Sequence, residues 1–139
     1  MIEDFLKEWM TLGARLKNIV VLDARQSMVG KSDLRRVFSD RYFEMDPALI
    51  LVLDEAKGFA LTQKSPVVLI DSDVLASSLK SLMGETLNLK IVGMGDKKVA
   101  NLVREIPGWE VMMPQSEYEL KQIIPKIESH FGPLYIHML

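Results

Sequence analysis

Short apolar runs rich in β-branched residues alternate with amphipathic segments along this chain of 139 residues. The alternation predicts five buried strands joined by helices. The predicted strands lie at 18–22, 48–53, 67–70, 90–94 and 109–113. Parallel strands require crossover connections, and amphipathic helices supply crossovers that cover a sheet. The pattern therefore predicts a three-layer α/β fold, a doubly wound, flavodoxin-like sheet of five parallel strands with helices on both faces.

Two segments lie outside this repeating unit. Apolar side chains at helical spacing, among them Phe5 and Trp9, predict an amphipathic N-terminal helix. The C-terminal segment LYIHML carries further apolar side chains, including Tyr135. The predicted division is an N-terminal helix at 1–17, an α/β domain at 18–131 and a C-terminal tail at 132–139. Phe5, Trp9 and Tyr135 either pack on the domain or form an interface with a partner.

Composition excludes several classes of function. The formal net charge of −2 gives no strong field toward nucleic acid or an anionic membrane. The absence of cysteine excludes disulfides, thiolate zinc sites and a cysteine nucleophile. The longest apolar run, ALILVL, is far shorter than a membrane span, and acidic residues stand where a secretory signal carries basic ones. We therefore expect a cytoplasmic protein that binds neither nucleic acid nor membrane.

The stretch DARQSMVGKS, residues 23–32, ends like a phosphate-binding loop. Such a loop needs two glycines, so that successive backbone N–H groups turn toward the phosphates. The first glycine would fall at position 25, which is Arg25. We therefore interpret Gly30-Lys31-Ser32 as the start of the first crossover helix, and nucleotide hydrolysis is not favoured.

Aspartates follow three of the predicted strands. Asp23, Asp54 and Asp71 each stand at the end of an apolar run. In open parallel sheets, ligands and chemistry gather at the carboxyl ends of the strands, near the point where the strand order reverses. The sequence therefore predicts an acidic pocket at that edge.

The motifs IVVLDARQSM, VVLIDSDVL and MMPQS together resemble the receiver domain of two-component response regulators over about residues 18–128. The resemblance implies that Asp71 matches the phosphoacceptor and Asp23 matches one of two acids that hold Mg²⁺. The receiver's other site positions hold residues without the required groups. The second acid is replaced by Ala24, the hydroxyl position falls on Gly93 or Met94, and the lysine position falls on Met113.

These replacements imply a degenerate pseudo-receiver, a signalling or regulatory module with no catalytic residue and no cofactor. We expect such a module to bind a protein partner or a second copy of itself, with Phe5, Trp9 and Tyr135 as possible contacts. The alternative is an atypical receiver phosphorylated on Asp71, with Asp23 and Asp71 as ligands of Mg²⁺. A small-ligand or nucleotide site at the same strand ends is a third possibility.

Overall fold

The computed structural model describes residues 2–138, without the side chains of Leu49 and Ile50. Strands and helices alternate along this range. The strands are β1 (Ile19–Asp23), β2 (Tyr42–Glu44), β3 (Ser65–Asp71), β4 (Lys90–Met94), β5 (Glu110–Met112) and β6 (Leu134–Met138). The helices are α1 (Ile2–Arg15), α2 (Lys31–Phe38), α3 (Leu49–Leu61), α4 (Ser72–Ala76), α5 (Lys98–Arg104) and α6 (Glu117–Ser129), with 3₁₀ turns at Ser39–Arg41 and Leu79–Leu82.

All six described strands pair in parallel, in the order β2-β1-β3-β4-β6-β5. The predicted α/β class and parallel sheet are confirmed, but the sheet has six strands rather than five. The chain moves outward from β1 to β2 and then crosses back to β3, so the strand order reverses between β1 and β3. That reversal places the loops after β1 and β3 side by side at the carboxyl edge of the sheet.

Two apolar clusters cover the two faces of the sheet. One joins the sheet to α1, α2 and α6, and the other joins it to α3, α4 and α5. This is the layer arrangement expected when crossover helices bury their apolar stripes on a parallel sheet. Within residues 2–138, every helix is too short or too polar to cross a bilayer.

The predicted strand at 48–53 is wrong, because these residues begin helix α3. A short apolar run fits a buried helix as well as a buried strand, and only its length separates the two. Here the helix continues to Leu61, and its leucines and alanines favour helical backbone. The true second strand, Tyr42–Glu44, has three residues and gives too short a pattern to detect.

The segment predicted to be a tail supplies β6, which lies inside the sheet between β4 and β5. All five residues of β6 are buried. Tyr135 is completely buried in the second apolar cluster, so its ring cannot form the interface suggested by the sequence.

The N-terminal helix is present, and its aromatic side chains belong to the core. Phe5 and Trp9 are completely buried. The Trp9 ring lies 5.6 Å from the ring of Phe5 and 5.2 Å from the ring of Phe38 on α2, measured between centroids. The suggested interface through Phe5 and Trp9 is therefore replaced by packing within the chain.

Arg41 fastens the end of α1 to the sheet. Its guanidinium group donates to the carbonyl oxygens of Leu16 at 2.9 Å, Ile19 at 3.0 Å and Gly13 at 3.2 Å. We expect Arg41→Met to lower the free energy of unfolding by about 2 kcal/mol, because three carbonyls lose a charged donor. Urea denaturation measures this change. Arg36→Met, which removes an exposed ion pair, is the control, and an equal effect of the two substitutions would contradict the prediction.

Candidate functional site

Asp23 and Arg25 form a buried ion pair at the end of β1. Arg25 donates to Asp23 Oδ1 from its backbone nitrogen at 3.1 Å and from Nε at 2.9 Å, and to Oδ2 from Nη2 at 2.8 Å. Both side chains are fully buried. A buried charge is tolerated when it is paired and hydrogen-bonded in this way. The pair is thus a closed unit within the carboxyl edge.

Two neighbouring side chains complete this unit. The Tyr42 hydroxyl on β2 donates to Asp23 Oδ2 at 2.8 Å, and Lys31 Nζ on α2 donates to the Arg25 carbonyl at 3.1 Å. Burial raises the pKa of Tyr42, and the hydrogen bond to Asp23 raises that pKa further. Tyr42 therefore stays protonated at neutral pH and serves as a donor. We call Asp23, Arg25, Lys31 and Tyr42 the β1 network.

The β1 network occupies Asp23, one of the two predicted metal ligands. Each carboxylate oxygen of Asp23 already accepts two hydrogen bonds, so the group offers no free side to a cation. Within residues 2–138 there is no group of three or more His, Cys, Asp or Glu side chains able to hold a metal ion. The pairing of Asp23 and Asp71 as Mg²⁺ ligands therefore has no support from the geometry. That the protein uses no cofactor stays a prediction from the sequence.

Asp71 lies at the end of β3, half-exposed, across the reversal of strand order from β1. Its Oδ2 accepts a hydrogen bond from the backbone nitrogen of Gln26 at 3.1 Å. The carboxylate thus ties the loop after β1 to the end of β3. Asp54, predicted at a strand end, is instead exposed on α3, because residues 48–53 are not a strand.

The positions interpreted as lost switch residues have packing roles. Ala24 is fully buried in the apolar cluster with α3, where a carboxylate would be desolvated. Met94 and Met113 pack against opposite apolar clusters. A Cβ placed on Gly93 would overlap the Tyr135 hydroxyl and lie 2.8 Å from the ring atoms Cε1 and Cζ. Glycine at position 93 therefore makes room for Tyr135.

The Gly30-Lys31-Ser32 triplet begins α2, as the sequence predicted. Gly30 is the N-cap residue with φ of 76°, a left-handed conformation that suits glycine. Lys31 is buried and directed to the Arg25 carbonyl, rather than held out toward a ligand. Ser32 is exposed.

A second buried network lies under the loop after β4. The Tyr135 hydroxyl and His137 Nδ1 are 2.8 Å apart, and His137 Nε2 lies 2.9 Å from the carbonyl oxygen of Gly95. Because a carbonyl only accepts, Nε2 carries the proton, and Nδ1 accepts from the tyrosine. The sequence gives no signal for this network, because the pairing of β6 with β4 is what brings His137 beside the loop that contains Gly95.

His137 makes folding sensitive to acid. Burial lowers the pKa of His137 from its ordinary 6.5, outweighing the smaller opposite effects of the Gly95 carbonyl and Asp96. Below about pH 6.5 the unfolded chain then binds a proton that the folded chain does not, so stability falls as the pH falls. Between pH 7.5 and 5.5 we expect the wild type to lose roughly 1 kcal/mol more than His137→Asn. Urea denaturation at both pH values measures the difference, and identical losses would contradict the assignment.

Lys90, at the start of β4, is a buried polar residue that the sequence did not indicate. Its ammonium group donates to the carbonyl oxygens of His130 at 2.6 Å and Gly132 at 2.8 Å, and to the side chain of Asn88. Burial lowers the pKa of Lys90 to about 8. In the sequence, Lys90 differs from its neighbours only as the one charged residue of an apolar strand, KIVGM. Lys90 fixes the loop that leads into β6.

Comparisons with known proteins identify a similar sequence and a similar solved structure. No family model matches the chain. A Methanocaldococcus jannaschii protein described as a transketolase C-terminal section is 28% identical over 148 residues, an alignment that covers 91% of this chain and 46% of that protein. A solved split-gene transketolase, an inactive β4 tetramer, superposes with a TM-score of 0.86 at 26% identity, over 97% of this chain and 49% of that one.

These relatives are transketolases, not response regulators. The receiver assignment is therefore wrong, together with the signalling function and the phosphorylated alternative that followed from it. This chain has the parallel sheet and the aspartates at its carboxyl edge that receiver domains also have, which explains the misleading resemblance. The chain spans about half the length of the relatives it matches.

Proposed function

We propose that this chain is a C-terminal section of a transketolase-type enzyme that contributes to assembly and supplies no reacting group. The superposition on the split-gene transketolase carries the proposal, because it extends over 97% of this chain with a TM-score of 0.86. A match of that extent includes the helices and loops as well as the sheet. The sequence match to the archaeal transketolase section supports the same proposal independently.

The carboxyl edge of the sheet supports the non-catalytic part of this proposal. Ligands of open parallel sheets bind where the strand order reverses, here between β1 and β3. In this chain the β1 network uses its charged groups on one another. At the same edge, one carboxylate oxygen of Asp71 accepts a hydrogen bond from the Gln26 nitrogen. Groups engaged in this way are poor candidates for acid–base or nucleophilic work.

Reconstitution tests the proposed function. The full chain would be mixed with the remaining section of the same enzyme, and transketolase activity would be measured for each part and for the mixture. We expect the chain alone to be inactive, and the mixture to be active while the two parts co-purify. A mixture without activity and without association would overturn the proposal. Activity of the chain alone would overturn its non-catalytic part.

Asp71 gives a sharper prediction for the same assay. We expect Asp71→Asn to keep the activity of the reconstituted enzyme within about two-fold, because an asparagine oxygen can still accept from the Gln26 nitrogen. Rates with the wild-type and variant chains, at matched occupancy, measure the effect. A loss beyond about 100-fold, the size typical of removing a general acid or base, would instead make Asp71 a catalytic residue.

A protein partner follows from the proposed function. The solved relative is a tetramer of β chains, so association is a property of that protein. For this chain, we propose association with copies of itself and with the other section of the enzyme. A cytoplasmic location and the absence of nucleic-acid binding stay predictions from composition.

A further inference from the structure

A cavity of about 410 Å³ lies at the amino edge of the sheet, opposite the edge that carries the β1 network. Its lining comes from segments that lead into four strands: Asn18 before β1, Lys64 before β3, Asn88 before β4 and Phe131 before β6. We call it the amino-edge cavity. Its volume and its mixture of polar and apolar side chains suit a small molecule.

Lys90 contacts the lining of this cavity through Asn88 and carries a charge without a counter-charge. Lys90 is completely buried, and its three acceptors, the Asn88 side chain and the carbonyls of His130 and Gly132, are all neutral. Within residues 2–138, the ion pairs of the chain do not include Lys90. A lysine is rarely buried unless it is paired with an acid. The fold therefore leaves a positive charge at the amino edge for another group to balance.

Glu85, the carboxylate nearest to Lys90 along the chain, is engaged elsewhere. Its Oε1 accepts from the backbone nitrogens of Thr86 at 3.0 Å and Leu87 at 2.9 Å, and its Oε2 lies 3.3 Å from Lys57 Nζ. Among the described residues, the charged side chain that lines the cavity is Lys64. The charges at the amino-edge cavity are thus positive, and they favour an anion as the occupant.

Asn88 offers the cavity a hydrogen-bond donor. Its Oδ1 accepts from the Lys90 ammonium group and from the backbone nitrogen of Gly132 at 3.0 Å. Both of these groups only donate, so the oxygen of the amide must face them and its NH₂ group is the polar group left for the cavity. The ammonium group on Oδ1 also polarises the amide and strengthens its N–H donors. Asn88 is therefore a fixed donor that suits an anion.

We propose that the amino-edge cavity binds a small phosphate monoester, with the phosphate against Asn88 and Lys64 and the ring of the ligand against Phe131. A phosphate monoester carries close to two negative charges at neutral pH, which match the ammonium groups of Lys64 and Lys90. Phe131 is 84% exposed beside these polar groups, and an exposed aromatic ring can pack on the face of a sugar or a nucleobase. This site adds a ligand to the chain and does not depend on the proposed function.

Isothermal titration calorimetry of the full chain at neutral pH tests the site with four probes: ribose 5-phosphate, AMP, inorganic phosphate and ribose. We expect both esters to bind and inorganic phosphate to bind at least about tenfold more weakly, because the ring contributes as well as the charge. Ribose, which has no charge, should not bind. Tighter binding of AMP than of ribose 5-phosphate would identify a nucleobase as the ring on Phe131, and equal or weaker binding of AMP would identify the sugar.

Asn88→Asp is the sharpest variant, because aspartate can still accept from Lys90 and Gly132 while it supplies the missing counter-charge. We expect it to unfold at a higher urea concentration than the wild type and to bind both esters at least about tenfold more weakly. Lys64→Gln should weaken binding by about threefold to fivefold, and Lys98→Gln, which removes an exposed lysine at the carboxyl edge, should bind like the wild type.

Three results would overturn the site. They are a wild type that binds neither ester at about 10 mM, ribose or inorganic phosphate binding as tightly as the esters, or variants Asn88→Asp and Lys64→Gln that bind no more weakly than Lys98→Gln. Urea denaturation verifies that each variant is folded, and Lys64→Gln carries the test alone if Asn88→Asp does not fold.

Discussion

Asp23→Ala will lower the free energy of unfolding by about 3–5 kcal/mol, the usual cost of leaving one partner of a buried ion pair without its counter-charge. The Arg25 guanidinium is fully buried, and Asp23 accepts two hydrogen bonds from it and a third from the backbone nitrogen of Arg25. Arg25 Nη1 already has no partner within the described residues, so the charge has little compensation left after the substitution. Urea denaturation monitored by tryptophan fluorescence measures the loss.

A double-mutant cycle distinguishes the loss of the Asp23–Arg25 ion pair from a general loss of stability. We expect Arg25→Met to cost a similar amount, and Asp23→Leu combined with Arg25→Met to cost much less than the sum, because no buried charge remains. Asp33→Ala removes an exposed carboxylate that pairs with Arg36, and should change stability by no more than about 0.5 kcal/mol. Additive effects in the cycle, or an Asp23→Ala variant as stable as Asp33→Ala, would contradict the buried pair.

Gly93→Ala is the second substitution with a large expected effect, a loss of about 3 kcal/mol from overpacking. Its Cβ would overlap the Tyr135 hydroxyl, and the tyrosine cannot withdraw easily, since that hydroxyl is held by His137. Combination with Tyr135→Phe should recover only part of the loss, because the ring atoms Cε1 and Cζ lie 2.8 Å from the new carbon. Thermal and urea denaturation both report the change.

Gly58→Ala is the matched control for Gly93→Ala. Gly58 lies on α3 with no atom within 4 Å of a Cβ placed on it, so the same change meets open space there. We expect this variant to be more stable than the wild type by about 0.5–1 kcal/mol, the difference in helix propensity between alanine and glycine. A Gly93→Ala variant that shares this gain would show that Tyr135 does not occupy the space beside β4.

The sequence was sufficient for the class of fold, because the period of the apolar residues distinguishes buried strands from amphipathic helices. The sequence could not distinguish helix from strand in short apolar runs, whose residues show neither the helical nor the strand period. Residues 48–53 form a helix and 134–138 form a strand, and the choice depends on the neighbours each segment meets in the folded chain. The order of strands depends on the same long-range contacts, which is why β6 could not be placed between β4 and β5.

The candidate site was harder to predict than the fold. Aspartates at strand ends are found in many parallel sheets with a polar carboxyl edge, so Asp23 and Asp71 could not by themselves identify a receiver domain. What distinguishes Asp23 is its contact with Tyr42, 19 residues away and brought there by β2. Ala24 and Gly93 became informative only when the side chains around them were known.

The central position of β6 has a consequence for how the protein is made. Every residue from β1 to β5 leaves the ribosome before the strand that joins β4 to β5, so β5 has no sheet neighbour until residues 134–138 have been synthesised. Until then one side of β4 presents unpaired backbone groups, which other chains can pair with. In the interval between the synthesis of β5 and that of β6, a nascent chain is therefore more prone to pair with other chains than the folded domain is.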